Sequence, residues 1–242
     1  MIFNQLPLDW SHIRRDHNGR NSKLAGHFLI LILAVLISPH TFSADSRDSG
    51  MSWNLLLKSK INDDWFLLSR SNLASRDDNN DYFFGYTGAS IGYQLDETWS
   101  VRLGYRYAAI KPQNKWLNED RPFVEAYASK KIDNLNDARF TSRSRVEWRI
   151  FDYRDNDIRL RQEFTLEAPL QLTDLKLNPY LEEELFYSTE KQQLEANWLG
   201  GGLAWRPAKG VKLKMGYRWN HFRLGDNWRD RDVLVLGLNL FY

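Results

Sequence analysis

The chain has 242 residues, of which 43% are hydrophobic, 26% charged and 14% aromatic, with a formal net charge of +2. This composition excludes a disordered or low-complexity polymer. With no cysteine, disulfide frameworks, thiol nucleophiles and cysteine-ligated metal centres are excluded as well.

The first element is an apolar run from Phe28 to Ile37, preceded by Arg14, Arg15, Arg20 and Lys23. As a helix it would span about 15 Å, half the thickness of a bilayer core. It is too short to cross a membrane and has the layout of an export signal. Thr41 and Ser43 are spaced for cleavage after Ser43, so residues 1–43 are read as a signal peptide and 44–242 as the mature domain. Cleavage takes four of the 33 basic and two of the 31 acidic residues, leaving 29 of each. A neutral mature chain argues against a nucleic-acid partner. It also retains a single histidine, His221.

Beyond the signal the dominant period is two, the signature of strands. Eleven such runs are predicted, at 52–60, 65–74, 82–94, 98–110, 121–132, 138–150, 157–168, 177–188, 197–206, 211–222 and 232–242. Short turns such as Asn62-Asp63-Asp64 and Pro207-Ala208-Lys209-Gly210 are expected to alternate with longer connections. These are 75–81, 111–120, 189–196 and 223–231. Short turns on one rim and loops on the other describe an all-β, up-and-down antiparallel transmembrane barrel. Bacterial single-chain barrels have even strand numbers, so ten or twelve strands are expected: either 52–60 lies outside the wall or one strand is hidden.

Each run has an apolar and a polar face. Val101, Leu103, Tyr105 and Tyr107 oppose Arg102 and Arg106. Val146, Trp148 and Ile150 oppose Arg143, Arg145, Glu147 and Arg149. Ile158, Leu160, Phe164 and Leu166 oppose Arg159, Arg161, Glu163 and Glu167, while Leu213, Met215 and Tyr217 oppose Lys212, Lys214 and Arg218. Glu125, Glu182 and Glu184 join the charged face. Apolar faces ending in Trp and Tyr suit lipid and its interfaces, and charged rows suit a closed interior. Glu183, between Leu181 and Leu185, does not fit the lipid-facing pattern. The last run places Leu234, Leu236, Leu238, Leu240 and Tyr242 on one face, with Phe241 beside it. This pattern resembles the C-terminal signal read by the barrel-assembly machinery of Gram-negative bacteria, which makes Leu238, Leu240, Phe241 and Tyr242 the assembly signal.

Two hairpins look like copies of one unit, 92–107 and 203–219: each is strand, tight turn, strand, then Gly-Tyr-Arg-aromatic, as in Gly104-Tyr105-Arg106-Tyr107 and Gly216-Tyr217-Arg218-Trp219. With the Arg143–Arg149 strand and the Phe241-Tyr242 end, the chain resembles, over about 51–242, an uncharacterised family of Gram-negative outer-membrane β-barrels, a domain of unknown function. It is more loosely similar to small oligosaccharide-specific porins. The resemblance implies fold and outer-membrane location, with lipid as the surrounding partner, and no substrate.

Two functions remain open at this point. Ten basic candidates against six acidic ones fit a narrow pore for anionic solutes or acidic oligosaccharides. The same residues fit a plugged, structural barrel in which they pair across strands. An enzyme is not expected, since His221 has no accompanying serine motif. The carboxylate pairs Asp77-Asp78, Glu119-Asp120 and Asp230-Asp232 are expected in loops. No cofactor and no metal are expected.

Overall fold

The computed structural model describes residues 48–112, 114–135, 137–170 and 175–242, and the expected signal peptide lies outside them. Eleven strands follow one another: β1 (Asp48–Lys60), β2 (Trp65–Arg76), β3 (Asp81–Gln94), β4 (Trp99–Ile110), β5 (Leu117–Ile132), β6 (Ala138–Phe151), β7 (Asp157–Glu167), β8 (Asn178–Ser188), β9 (Gln193–Ala208), β10 (Val211–Leu224) and β11 (Asn227–Phe241). Each pairs antiparallel with the next, and β1 closes the ring on β11.

The closing pair is parallel, in register from Asp48 opposite Arg231 to Lys58 opposite Phe241. Geometry requires this: with strands alternating in direction, the first and last of an odd number point the same way. The expectation of ten or twelve strands is therefore corrected to eleven. The 52–60 run lies in the wall as part of β1, hydrogen-bonded on both sides. Asp48 and Phe241 consequently lie at opposite rims, called here the Asp48 rim and the Tyr242 rim.

The expected alternation of short and long connections is also corrected. At the Asp48 rim the connections are 77–80, 111–116, 152–156, 189–192 and 225–226, as compact as most of those at the Tyr242 rim. The strands run further than the apolar pattern reaches. β11 continues to Asn227 and turns tightly onto β10 through Gly225, at φ 63°, and β9 begins at Gln193. Glu119, Asp120, Asp230 and Asp232 are strand residues as a result, while Asp77 and Asp78 do sit in a turn, both at positive φ.

The two faces of the wall differ in kind. Outward lie large apolar side chains, among them Leu103 (62% exposed), Trp148 (55%), Val124 and Met215. Leu238 and Leu240 sit in register with Leu55 and Leu57 on one side and Leu213 and Val211 on the other, bridging the seam. The terminal strand is tied down by Tyr242, which accepts from Lys60 N at 3.0 Å and donates to Lys58 O at 2.9 Å. Glu183 is accepted on the outward face by an amide, Asn197 Nδ2 donating to it at 3.2 Å. Among the described residues the buried polar and charged side chains, 19 of them, outnumber the 13 buried hydrophobic ones, so the core of this molecule is largely polar.

Candidate functional site

Strand alternation sends all sixteen sequence-predicted charges inward, and cross-strand register decides whom they meet. Glu125 on β5 stands between Arg102 on β4 and Arg145 on β6, both 2.5 Å away. Arg143 at 3.4 Å and Arg70 at 3.8 Å complete its surroundings. Glu147 on β6 is likewise ringed by Arg159 (2.7 Å), Arg161 (2.8 Å), Arg145 (3.0 Å) and Arg106 (3.5 Å). Glu184 on β8 takes Arg161 at 2.6 Å and Arg143 at 2.8 Å, and Glu163 on β7 also pairs with Arg143. The network joins seven arginines (70, 102, 106, 143, 145, 159 and 161) to four glutamates (125, 147, 163 and 184). Its formal excess is three positive charges, held at sites where Glu125 and Glu147 are 1% and 0% exposed.

Arginine suits this role because its planar fork bridges several carboxylates at once and also stacks on rings. Arg106 lies over Tyr86 at 3.8 Å, Arg145 over Phe123 at 4.1 Å, and Arg102 over Tyr127 at 4.3 Å. A second cluster near the Asp48 rim centres on Glu119. It pairs with Arg121 and with Arg149 at 3.2 Å, and accepts from the Tyr153 hydroxyl at 2.9 Å. Toward the Tyr242 rim, Glu167 pairs with Lys212 and with Arg206 (2.5 Å), and Glu182 with Lys214 (2.7 Å). Arg218 stands apart. Among the described residues its guanidinium meets Asn220 Oδ1 at 2.8 Å and the Trp198 ring at 4.2 Å, and no carboxylate at ion-pair distance.

Glu119, Arg121, Arg70 and Arg206, the last near the Tyr242-rim end of β9, escape a reading of the sequence. Glu119 lies before Pro122, which cannot donate to a ladder and obscures where the strand begins; β5 starts at Leu117 and passes through it, the β5–β6 pairing lapsing between Asp120 and Phe123, and Arg121, the first residue of the predicted run, turns to Glu119. Arg70 lies in Ser69-Arg70-Ser71-Asn72, where apolar contrast is missing on either face. The signal that finds Arg70 is register: it flanks Gly88 on one side as Arg106 does on the other.

The interior is half filled. A cavity of about 790 Å³ lies between the arginine-bearing wall and strands β9–β11 and β1, which line it with small or uncharged residues such as Val233, Val235, Gly237, Asn54 and Leu56, with Lys214 and Arg218 from β10, and with Asp48 and Arg231 at the Asp48 rim. It reaches Arg76, Pro112, Arg154, Lys191 and Gly225, thus all five connections of the Asp48 rim or their edges. Among the described residues no connection of the Tyr242 rim lines it. There the bore is crossed by rings laid over glycines. Phe66, 3% exposed, occupies the space that a Cβ on Gly92 would take. Tyr180, 1% exposed, lies level with Gly202 and reaches Gly216, two strands away. Lys58 covers Phe66 at 4.0 Å and Lys214 covers Tyr180 at 3.9 Å. The cavity thus opens among the connections of the Asp48 rim, with Phe66 and Tyr180 toward the Tyr242 rim.

His221 lies on the outward face near the open rim, stacked between Trp219 and Trp228, with Nδ1 at 2.6 Å from Asp230. No curated protein and no solved structure matches the chain. The sequence profile of one family does, over residues 51–231, and the chain thereby belongs to the family described as proteins of unknown function, DUF2490.

Proposed function

We propose that this chain is an outer-membrane β-barrel whose lumen is a one-ended chamber, not a diffusion pore. Three features support the membrane location. The signal-like N-terminal run provides for export. The outward face carries exposed large apolar side chains on strand after strand, among them Leu67, Ile91, Leu103, Val124, Trp148, Leu160, Tyr187, Met215 and Leu234, and an extended apolar surface of this kind marks a membrane or partner interface. Every strand has at least 11 residues, enough for a tilted crossing of the hydrocarbon layer, which takes about 9–11. A closed barrel leaves no unpaired edge in lipid. The β11 pattern, read as an assembly signal, turns the Tyr242 rim toward the periplasm and the open end outward.

The observation that carries the closed reading is the distribution of the cavity lining, which includes all five connections of one rim or their edges and, among the described residues, none of the other. An anion channel would need a path past Phe66, Tyr180 and the Lys212–Glu167 pair. The purified barrel in a planar bilayer should therefore be nearly silent, and steady, anion-selective conductance would refute closure. Location is tested separately, because a chain without cysteine accepts single labels cleanly. Lys191→Cys should react with a membrane-impermeant maleimide on intact cells, and Lys209→Cys only after lysis. Recovery of the protein in the osmotic-shock fluid would refute the membrane location.

A further inference from the structure

We infer that the chamber binds a small organic oxyanion, a carboxylate or phosphate, with its charge on the arginine wall and an uncharged flank on β11 and β1. The inference rests on the chamber being closed at one end, as proposed above.

Charge supplies the first reason. Buried charge without counter-charge is costly, and the network around Glu125 and Glu147 holds seven guanidiniums on four carboxylates. Among the described residues six carboxylates reach the cavity and each already has a partner: Glu163 and Glu184 take Arg143, Glu182 takes Lys214, Asp48 takes Arg231, Glu195 takes Arg149 and Lys191, and Asp230 meets His221. Arg143 Nε is moreover buried without a hydrogen-bond acceptor among the described residues.

Placement supplies the second. Arg70 and Arg106 stand on either side of Gly88, which has no side chain to separate them, and Tyr86 lies beside them under the Arg106 guanidinium. Arg218 faces the same cavity from β10, held flat on Trp198 and free of any carboxylate at pairing distance among the described residues. Guanidiniums converging from β2, β4 and β10, together with a phenol, form a cradle for an oxyanion, which accepts from several donors at once. Midway along the opposite wall, Val233 (3% exposed), Val235 (6%), Gly237 and Leu56 carry no charge, and the charged residues that β11 and β1 bring to the cavity, Asp48, Arg229, Asp230 and Arg231, lie at its mouth by the Asp48 rim. That uncharged stretch suits the rest of an organic molecule. The cavity's roughly 790 Å³ falls within the span of about 300–1,000 Å³ typical of small-molecule sites.

The test is calorimetric titration of the full barrel in non-ionic micelles with phenyl phosphate and with benzoate, against blank micelles. Both anions should bind saturably at one per barrel, more weakly at high salt. Inorganic phosphate should bind more weakly than phenyl phosphate, and benzyl alcohol should not bind. Arg218→Gln should lower affinity at least tenfold and Arg218→Lys less, because Arg218 lies outside the structural ion pairs and its loss leaves the fold intact. Unchanged heat-modifiable mobility on a gel verifies that. If only one of the two anions binds, the oxyanion source is identified and the proposal stands. No saturable binding by either overturns it, as does equal binding of benzyl alcohol or an unchanged affinity in Arg218→Gln. Equal affinity for inorganic phosphate overturns the uncharged flank. Because micelles do not report conductance, a silent barrel that binds nothing refutes this inference alone. A conducting barrel that binds refutes the closed reading alone.

Discussion

Strands β4–β8 and strands β9–β1 enclose the same lumen with opposite materials. The first group projects long charged side chains, of which Glu119, Glu125, Glu147, Glu184, Arg143, Arg145, Arg149 and Arg161 each meet two or more partners, until the space on its side is filled. The second projects mainly Gly200, Gly202, Ala204, Gly216, Val233, Val235 and Gly237, with Lys212, Lys214 and Arg218 of β10 among its inner charges, and leaves the space open. Filling a barrel of this size needs no aliphatic core, provided that every buried charge meets its complement. The cavity lies where the complement stops. A closed polar half therefore sets the shape of an empty neutral half, and the boundary between them carries the surplus positive charge.

The largest break in this contrast should come from Glu147. Its carboxylate is 0% exposed and serves Arg106, Arg145, Arg159 and Arg161 together. Glu147→Gln preserves volume and removes the charge, so four buried guanidiniums lose one shared counter-ion. Removing one partner from a buried ion-pair cluster costs about 3–5 kcal/mol. Urea unfolding of the refolded barrel in detergent should show a loss of that size. A loss below about 1 kcal/mol would mean that water reaches the network and the filled half is wet.

The neutral half should respond to volume instead of charge, and unevenly. A Cβ on Gly216 would meet Gly201 O and the Tyr180 hydroxyl, whereas one on Gly237 meets the Lys214 side chain, nearest atom 3.3 Å away. Gly216→Ala forces Tyr180 off its seat, and overpacking of this kind costs about 1–3 kcal/mol. Gly237→Ala points into the chamber and should cost less than about 1 kcal/mol. Equal effects at the two positions would show that Tyr180 does not lie across Gly216. If Tyr180 is part of the floor, Gly216→Ala should also raise the bilayer conductance while Gly237→Ala leaves it silent.

The two halves were not equally legible in the sequence. Period-two alternation located all eleven strands to within five residues at either end, because Leu, Val, Trp and Tyr mark the outward face against Arg and Glu. At β11, β9 and β5 the marks fail where Arg229, Asp230 and Arg231, or Gln193, or Glu119 and Asp120, extend the strand with polar residues on both faces. The charged half stood out for the same reason that it is filled: long charged side chains in rows are conspicuous. The neutral half is built from glycine, alanine and valine, whose meaning depends on what lies across from them, and no single strand records that. Strand parity was hidden too. It follows from the pairing of β1 with β11, a contact between residues about 180 apart, and the expectation of an even number displaced a count that was already eleven.

The smallest effect concerns the edge of the filled half, where the β6–β7 connection leaves the wall. Tyr153 donates its hydroxyl to Glu119 at 2.9 Å. Partial burial, with Glu119 as the next cause, pushes the phenol up to about 12 from its ordinary 10. The sign follows from protonation. The phenol holds its proton to higher pH when folded than when unfolded, so its contribution to stability is complete below pH 10. That contribution falls away as pH rises toward 12, where folded and unfolded chains alike have released the proton. Tyr153→Phe removes the bond, and a neutral hydrogen bond contributes about 0.5–1.5 kcal/mol; this one is half exposed and belongs at the low end. The difference in unfolding free energy between wild type and Tyr153→Phe should be constant from pH 7 to 9 and shrink between pH 10 and 12. A difference that stays flat through that window would detach Tyr153 from Glu119. The connection would then be a free loop over the chamber mouth, and the ordered boundary of the filled half would end at Arg149.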